Sequence, residues 1–328
     1  MSDKVNLMPN RVLVTGGNGF VGKSLCLELF RQGYAVRAAI RDPDKSALNA
    51  ETVSVGHINS NTAWADALSC VDVIVHLAAR VHIMNEITPD GGLVEFRKIN
   101  VEGTINLARQ AVKAGIKRFI FISSIKVNGE ETLSGAPYTA EDEPAPVDAY
   151  GISKREAEDA LRLLAKETGI EVVIIRPPLI YGPGVKANFH SMMRYLDKSI
   201  PLPLGAINNQ RSLVSLDNMI DLIITCTHHP AAANQTFLVS DGEDVSTTAL
   251  LKRMSLALGK KAWLIPIPSV VIKQCAYLIG KRAIAQRLCG SLQVDISKTR
   301  ELLDWKPPVD MNNALLNAAK FYKSALHE

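Results

Sequence analysis

Val12-Leu13-Val14-Thr15-Gly16-Gly17-Asn18-Gly19-Phe20-Val21-Gly22 decides the fold. A short β-branched run ends in a glycine-rich turn, and an amphipathic helical pattern starts at once, so the glycines lie where a strand becomes a helix. Gly16 permits a tight turn, Gly19 lets backbone approach a pyrophosphate without a Cβ in the way, and Gly22 allows close helix packing. The helix N-terminus that follows Phe20 and Val21 then offers free N–H groups and partial positive charge to phosphates. These five residues are candidate cofactor contacts.

Outward from this turn, β-branched runs alternate with longer helical patterns, the signature of strand–helix–strand crossovers and a parallel sheet. The runs predict strands at Arg11–Thr15, Ala35–Ile40, Val53–Val55, Val71–Leu77, Arg118–Ser123 and Val172–Arg176. Helices are predicted near Gly22–Gln32, Trp64–Leu68, Glu95–Ala114 and Tyr150–Thr168. After Arg176 five prolines, from Pro177 to Pro203, punctuate the chain, and helices alternate with brief strands such as Phe237–Ser240. The fold class is α/β: a Rossmann-type doubly wound parallel sheet with a smaller α/β substrate-binding domain. Residues 1–178 form the nucleotide-binding domain, parts of 211–240 complete its sheet, and 179–210 with 241–328 form the smaller one. Pro137–Pro146 reads as a surface loop over a cleft.

Composition narrows the classes further. The 37 basic residues exceed 33 acidic ones by four, without a run of five like charges, so no nucleic-acid partner is implied. Five separated cysteines, with no C-x-x-C pair and no His/Cys cluster of zinc spacing, fit a reducing cytoplasm and no metal site. Met1–Asn10 lacks the apolar core of a signal peptide or anchor. Leu264–Gly280 is strongly apolar but interrupted by Pro266, Pro268, Lys273 and Gln274, so no membrane span is predicted, although peripheral contact stays open.

Cofactor choice belongs to the end of the second strand, where an acid would bind a ribose 2′-hydroxyl and a base a 2′-phosphate. Ile40-Arg41-Asp42-Pro43-Asp44-Lys45 stands there, and Arg41 with Lys45 leans toward NADP over NAD, while Asp42 opposes.

Tyr150 and Lys154 stand at i and i+4, one helical turn apart on one face. A nearby cation stabilises phenolate and is expected to lower the Tyr150 pKa, giving an acid/base for a substrate alcohol or carbonyl. The strand Phe119-Ile120-Phe121-Ile122 delivers Ser123-Ser124 to its C-terminal end, the edge at which open parallel sheets bind ligands. Tyr277 and Lys281 repeat the spacing without such a strand, and read as packing plus a solvated lysine.

These residues resemble a family, the extended short-chain dehydrogenase/reductases, in particular the nucleotide-sugar epimerase/dehydratase group. Thr15 to Gly22 resembles its T-G-G-x-G-F-x-G turn, His76-Leu77-Ala78-Ala79 its H-x-A-A, Asn100 to Thr104 its N-x-x-G-T, and Tyr150-x-x-x-Lys154 its catalytic pair. Arg176-Pro177 with Tyr181-Gly182-Pro183-Gly184, and Asp295 to Lys298 with Leu303 to Pro307, resemble its later motifs. The resemblance implies Ser124, Tyr150 and Lys154 as the catalytic set, with Lys154 also on the nicotinamide ribose. It implies Ile58, Leu77, Ala78, Ala79, Asn100 and Pro177 as further cofactor contacts, Asn188 and Arg211 as contacts of a UDP-sugar diphosphate, and a homodimer. A diphosphate does invite a bidentate cation such as Arg211, whereas Asn188 also reads as a helix cap.

The sequence departs from the pattern at three points. Ile40 occupies the acidic ribose-ligand position, and His57 replaces an aspartate before Ile58. Ser124-Ile125-Lys126 lacks the Asp-Glu pair of 4,6-dehydratases, which disfavours dehydration. Hydride chemistry at C4 of a nucleotide sugar remains. Arg41, Ile40 and the Ser123–Glu130 segment lean toward a 4-ketoreductase of a UDP-4-keto-6-deoxy sugar of the UDP-N-acetylquinovosamine type, serving surface polysaccharide. The alternative is a UDP-glucose or UDP-GlcNAc 4-epimerase that retains NAD. Further readings are an NADPH-dependent reductase of a small apolar ketone and a non-catalytic cofactor sensor.

Overall fold

The computed structural model describes residues 11–42, 50–81, 92–133 and 135–326. Its first half runs β1 (Arg11–Thr15), α1 (Phe20–Arg31), β2 (Ala35–Ile40), β3 (Glu51–Ser54), α2 (Ala65–Leu68), β4 (Val73–His76), α3 (Leu93–Arg97), α4 (Thr104–Lys113), β5 (Arg118–Ile122), α5 (Ala149–Thr168) and β6 (Glu171–Arg176). The second half adds β7 (Leu179–Tyr181), α6 (Ala187–Asp197), β8 (Arg211–Ser215), α7 (Leu216–His228), β9 (Thr236–Leu238), β10 (Asp244–Val245) and α8 (Thr247–Ala257). It closes with α9 (Ser269–Leu278), α10 (Arg282–Cys289), α11 (Ser297–Leu303) and α12 (Met311–Ser324).

Seven strands form one parallel sheet in the order β3-β2-β1-β4-β5-β6-β9. Alternate residues of each strand face opposite sides, so an apolar run buries both faces. Val12, Val14, Ile120, Ile122, Val173 and Ile175 pack on the α1 and α7 side, whereas Leu13, Phe119, Phe121, Val172 and Ile174 pack with residues of α4, α5 and Trp64. Strand order reverses between β1 and β4, and that crevice at the C-terminal edge is where an open α/β sheet takes a ligand.

A third core gathers Tyr181, Phe189, Leu213, Leu251 and Leu315 from β7, α6, β8, α8 and α12. β8 pairs with β7 and β10 in a small second sheet, while β9 returns to the edge of the large one. The closing motif locks this half to α7, since Trp305 Nε1 donates to Asp221 Oδ1 at 2.6 Å.

Several boundaries differ from the sequence reading. β4 starts at Val73 rather than Val71, because Cys70 adopts a left-handed φ of 57° and Val71 N closes a turn on Leu68 O. β3 spans Glu51–Ser54 instead of Val53–Val55. The helix expected over Glu95–Ala114 begins at Leu93 and is interrupted by a π-helical turn at Lys98–Gly103. Pro137–Pro146 is tied to the C-terminal half, with Tyr138 N donating to Gln293 O and Asp295 N to Tyr138 O. No helix among the described residues is long and apolar enough to cross a membrane, and among them no group of three or more His, Cys, Asp or Glu could hold a metal.

Candidate active site

Gly16 has φ +67°, and a Cβ there would lie 3.0 Å from Ala78 N, so β1 and β4 approach too closely at the crevice for any side chain. At Gly22 a Cβ would fall 2.2 Å from Gly16 O, and only glycine lets α1 seat on the turn. Gly19 caps α1 with no side-chain hydrogen bond and is exposed, and the first turn carries no acid. The N-terminal N–H groups therefore face the crevice with their partial positive charge uncompensated, which fits a dinucleotide pyrophosphate. Phe20 and Val21 are half-buried beside it.

The β1–β4 junction is held by an imidazole. His76 Nδ1 shares a hydrogen bond with Thr15 Oγ1 at 2.8 Å, and Nε2 one with Thr104 Oγ1 at 3.0 Å. Burial, with Lys154 second, pushes its pKa down to about 3, so the ring stays neutral. Thr15 Oγ1 also accepts from Ala78 N at 3.2 Å, fixing Leu77-Ala78-Ala79 along the crevice.

Asn100 lies in the π-helical turn and is buried. Its Oδ1 accepts from Arg80 N at 2.8 Å, and its Nδ2 donates to Arg80 O and Ser153 Oγ. The amide thus braces the loop after β4 against α5. Ile58 is half-buried, packed so closely that a Cβ on Gly103 would meet its Cγ2 at 2.6 Å. Arg41 is exposed at the end of β2, and Lys45 lies outside the described residues. Pro177 is buried and its carbonyl accepts from Ile125 N.

Ser124 is half-buried just past β5, in extended backbone, and caps a short 3₁₀ turn by accepting from Lys126 N at 3.3 Å. Its hydroxyl proton stays available to a ligand oxygen. Tyr150 is the second residue of α5, whose N-cap Asp148 accepts from Gly151 N at 2.7 Å. A Cβ on Gly151 would strike Lys126 O at 2.8 Å, so this helix start lies directly on the Ser124 turn. Lys126 Nζ clamps the two segments, pairing with Asp148 and with Glu130 at 3.1 Å.

Lys154 is buried and donates from Nζ to Ile122 O at 2.8 Å, with Nζ 4.4 Å from the Phe121 ring centre and 5.9 Å from that of Tyr150. Burial lowers its pKa to about 7, opposed by Glu158. The Tyr150 phenol moves the other way: burial first and the Asp148 carboxylate second raise its pKa. The expected depression by Lys154 is therefore absent in the free protein, where burial and the Asp148 carboxylate set the direction.

Beneath the pair lies a cluster that the sequence reading passed over. Glu158, fully buried, accepts from Ser123 Oγ at 2.6 Å, from Arg176 Nε at 2.9 Å and Nη2 at 2.6 Å, and from Arg162 Nη2 at 2.9 Å. Arg176 Nη1 continues to Asn128 Oδ1 at 3.0 Å. The signal was present: Glu158 follows Lys154 by four residues, on the same helical face as Tyr150 and Lys154.

Asn188 is exposed as the second residue of α6, and the cap of that helix is Lys186, so the capping alternative for Asn188 does not hold. Arg211 opens β8 half-buried, with Nη1 donating to the carbonyls of Arg287 at 2.9 Å and Gly290 at 3.2 Å. Burial lowers its pKa, countered by Glu131. Tyr277, read as packed, is 67% exposed, because α9 buries Ala276 alone.

The NAD dependent epimerase/dehydratase family matches residues 12–240. A UDP-glucose 4-epimerase from Vibrio cholerae is 49% identical over 323 residues, covering 97% of both chains. Among solved structures, a UDP-glucose 4-epimerase from Thermotoga maritima with UDP-glucose superposes with a TM-score of 0.76 at 21% identity, over 96% of this chain and 99% of that one. A UDP-N-acetylglucosamine 4-epimerase from Bacillus cereus superposes with a TM-score of 0.77 at 20% identity, over 97% and 99%.

These findings correct the 4-ketoreductase expectation. It rested on Ile40 and Arg41, which address the cofactor ribose and carry no information on whether hydride returns to the same sugar, and on a resemblance of the short Ser123–Glu130 segment, which the 49% identity to a UDP-glucose 4-epimerase over 97% of both chains outweighs. With the Rossmann sheet, the glycine cradle and the Tyr150–Lys154 helix at its edge, the chain belongs to the NAD-dependent epimerase/dehydratase family of enzymes.

Proposed function

We propose that the protein is a UDP-sugar 4-epimerase that keeps its nicotinamide dinucleotide between turnovers. The observation that carries this reading is the 49% identity to a UDP-glucose 4-epimerase over 97% of both chains. Bound in the glycine cradle, NAD would supply a reversible hydride acceptor and, when oxidised, positive charge.

Ser124 orients the sugar C4 oxygen by donating a hydrogen bond, and Tyr150 exchanges a proton with that oxygen. The raised pKa of Tyr150 keeps the phenol protonated in the free protein, ready for the step that returns a proton to the 4-keto oxygen. The opposite step needs phenolate, which added positive charge in the site favours. Lys154, fixed on Ile122 O, is placed to hold the nicotinamide ribose and to contribute charge when protonated. Arg211 and Asn188 hold the sugar-nucleotide diphosphate, Arg211 through the donors it does not spend on Arg287 and Gly290. Because the hydride goes back to the sugar that gave it, the cofactor need not exchange, and NAD is the proposed form despite Arg41 at the end of β2.

The test is to incubate the purified protein with UDP-glucose, UDP-GlcNAc and UDP-GalNAc and to resolve the C4 epimers. Interconversion is expected with no net change in nicotinamide absorbance, and acid extraction is expected to release NAD from the protein. Absence of interconversion with all three sugars would remove the proposal.

A further inference from the structure

Residues 260–294 hold six basic residues, Lys260, Lys261, Lys273, Lys281, Arg282 and Arg287, and not one Asp or Glu. The rest of the chain has 31 basic against 33 acidic residues, so the protein's whole positive excess is carried by this segment. All six cations are exposed. Lys260 pairs with Asp197 at 4.0 Å, and among the described residues the other five have no acidic partner within that distance.

The same segment exposes apolar side chains that a globular surface would bury. α9 and α10 form a helical hairpin turned at Gly280, whose φ is +67°, and their inward faces bury Ala276, Ala285 and Cys289. Val270 and Tyr277, and Val271 and Leu278, stand seven residues apart on one outward face of α9, and Ile279 and Ile284 extend it across the turn. Leu278 is 82% exposed, and Trp263 contributes a second exposed aromatic ring. Val270, Tyr277 and Leu278 of this face line an open groove of about 720 Å³, and Glu131 is the one acid among the described residues that line it.

We propose that the α9–α10 hairpin docks on an anionic lipid bilayer surface. An apolar helical face flanked by lysines and arginines, with Trp and Tyr among its exposed residues and no acid on the hairpin itself, matches the interface of a membrane that bears negative headgroups. Long basic stems lie along the apolar face while their charged ends reach the headgroups. A protein partner would not need the exclusion of every carboxylate over 35 consecutive residues, whereas a negative surface repels each one. Docking also orients the molecule: the carbonyls of Arg287 and Gly290, at the end of α10, hold Arg211, so the proposed diphosphate end lies against the hairpin that touches lipid.

The experiment is flotation of the full chain with phosphatidylcholine vesicles, with and without about 30% phosphatidylglycerol, in low salt and in about 0.5 M NaCl. The bound fraction is expected to rise about tenfold with the anionic lipid and to fall in high salt. Leu278→Glu with Ile279→Glu, and separately Lys281→Ser with Arg282→Ser, are each expected to abolish flotation while leaving the thermal midpoint in place, since all four side chains are exposed. Equal binding to neutral vesicles, no binding to either, or binding that both double variants retain would overturn the proposal. So would a dimer, seen by light scattering, that Leu278→Glu dissolves, because a second copy would then cover the face. Flotation is read without turnover, so the outcome is independent of which sugar the site accepts.

Discussion

At the scale of single residues, the proposed site rests on one phenol and one amine whose protonation burial has altered in opposite directions. Tyr150→Phe removes the proposed proton carrier and is expected to lower kcat by about 10²–10⁴-fold with little change in KM, read by epimer resolution. Lys154 makes a separate prediction through stability. Its folded pKa of about 7 lies below the ordinary lysine value of 10.5, so between these limits the unfolded chain binds more protons than the folded one. The burden of the buried charge is therefore complete below about pH 7 and is relieved as pH rises toward 10.5. Compared with Lys154→Met, the natural protein should gain thermal stability across that window and run parallel to the variant below it. Thermal melts of both proteins as a function of pH check this. The placement of Ser124 just past β5, and of Tyr150 and Lys154 one turn apart at the start of α5, was legible from sequence because the spacing and the preceding strand carry it. The direction of the Tyr150 shift was not, since it depends on how deeply the fold buries the phenol beside Asp148.

At the scale of elements, α5 is fastened to β5 and β6 by a carboxylate. Glu158 accepts from Ser123, Arg176 and Arg162 in a fully buried position, so its removal leaves the Arg176 guanidinium without its counter-charge. Glu158→Ala is expected to cost about 3–5 kcal/mol in chemical denaturation, and Arg176→Met added to it should recover part of the loss. β1 and β2 were read from sequence to the residue because their apolar runs end in sharp breaks, Gly16 and Arg41. β4 was overread, since Val71 and Leu77 continue the apolar pattern while a left-handed Cys70 and the crevice turn end the pairing. The π-helical turn at Lys98–Gly103 leaves no mark in a hydrophobic period; it arises from tertiary contacts such as Asn100 to Arg80 and Ser153.

At the scale of the molecule, the nucleotide half was legible because a two-faced parallel sheet imposes continuous apolar strands, whereas the second half owes its form to contacts between distant segments. Arg211 is an example: its donors are fixed by carbonyls 76 and 79 residues away. The proposed diphosphate site spans this junction, so UDP alone should stabilise the folded chain. At a concentration 100-fold above its Kd the gain is about 2.7 kcal/mol, and Arg211→Ala should lose most of the accompanying rise in Tm, measured by differential scanning calorimetry.

The excursion between β6 and β9 bears on how the protein can be dissected. The chain leaves the large sheet at Arg176 and rejoins it only at Thr236, so the seventh strand is supplied by sequence lying beyond β7, α6, β8 and α7. A truncation at the end of β6 would strip that strand away and bare a row of unpaired backbone groups on Ile174, Ile175 and Arg176. Such a fragment would aggregate instead of behaving as a portable nucleotide-binding module, and chimeras of this enzyme must exchange loops within the sheet rather than halves of the gene.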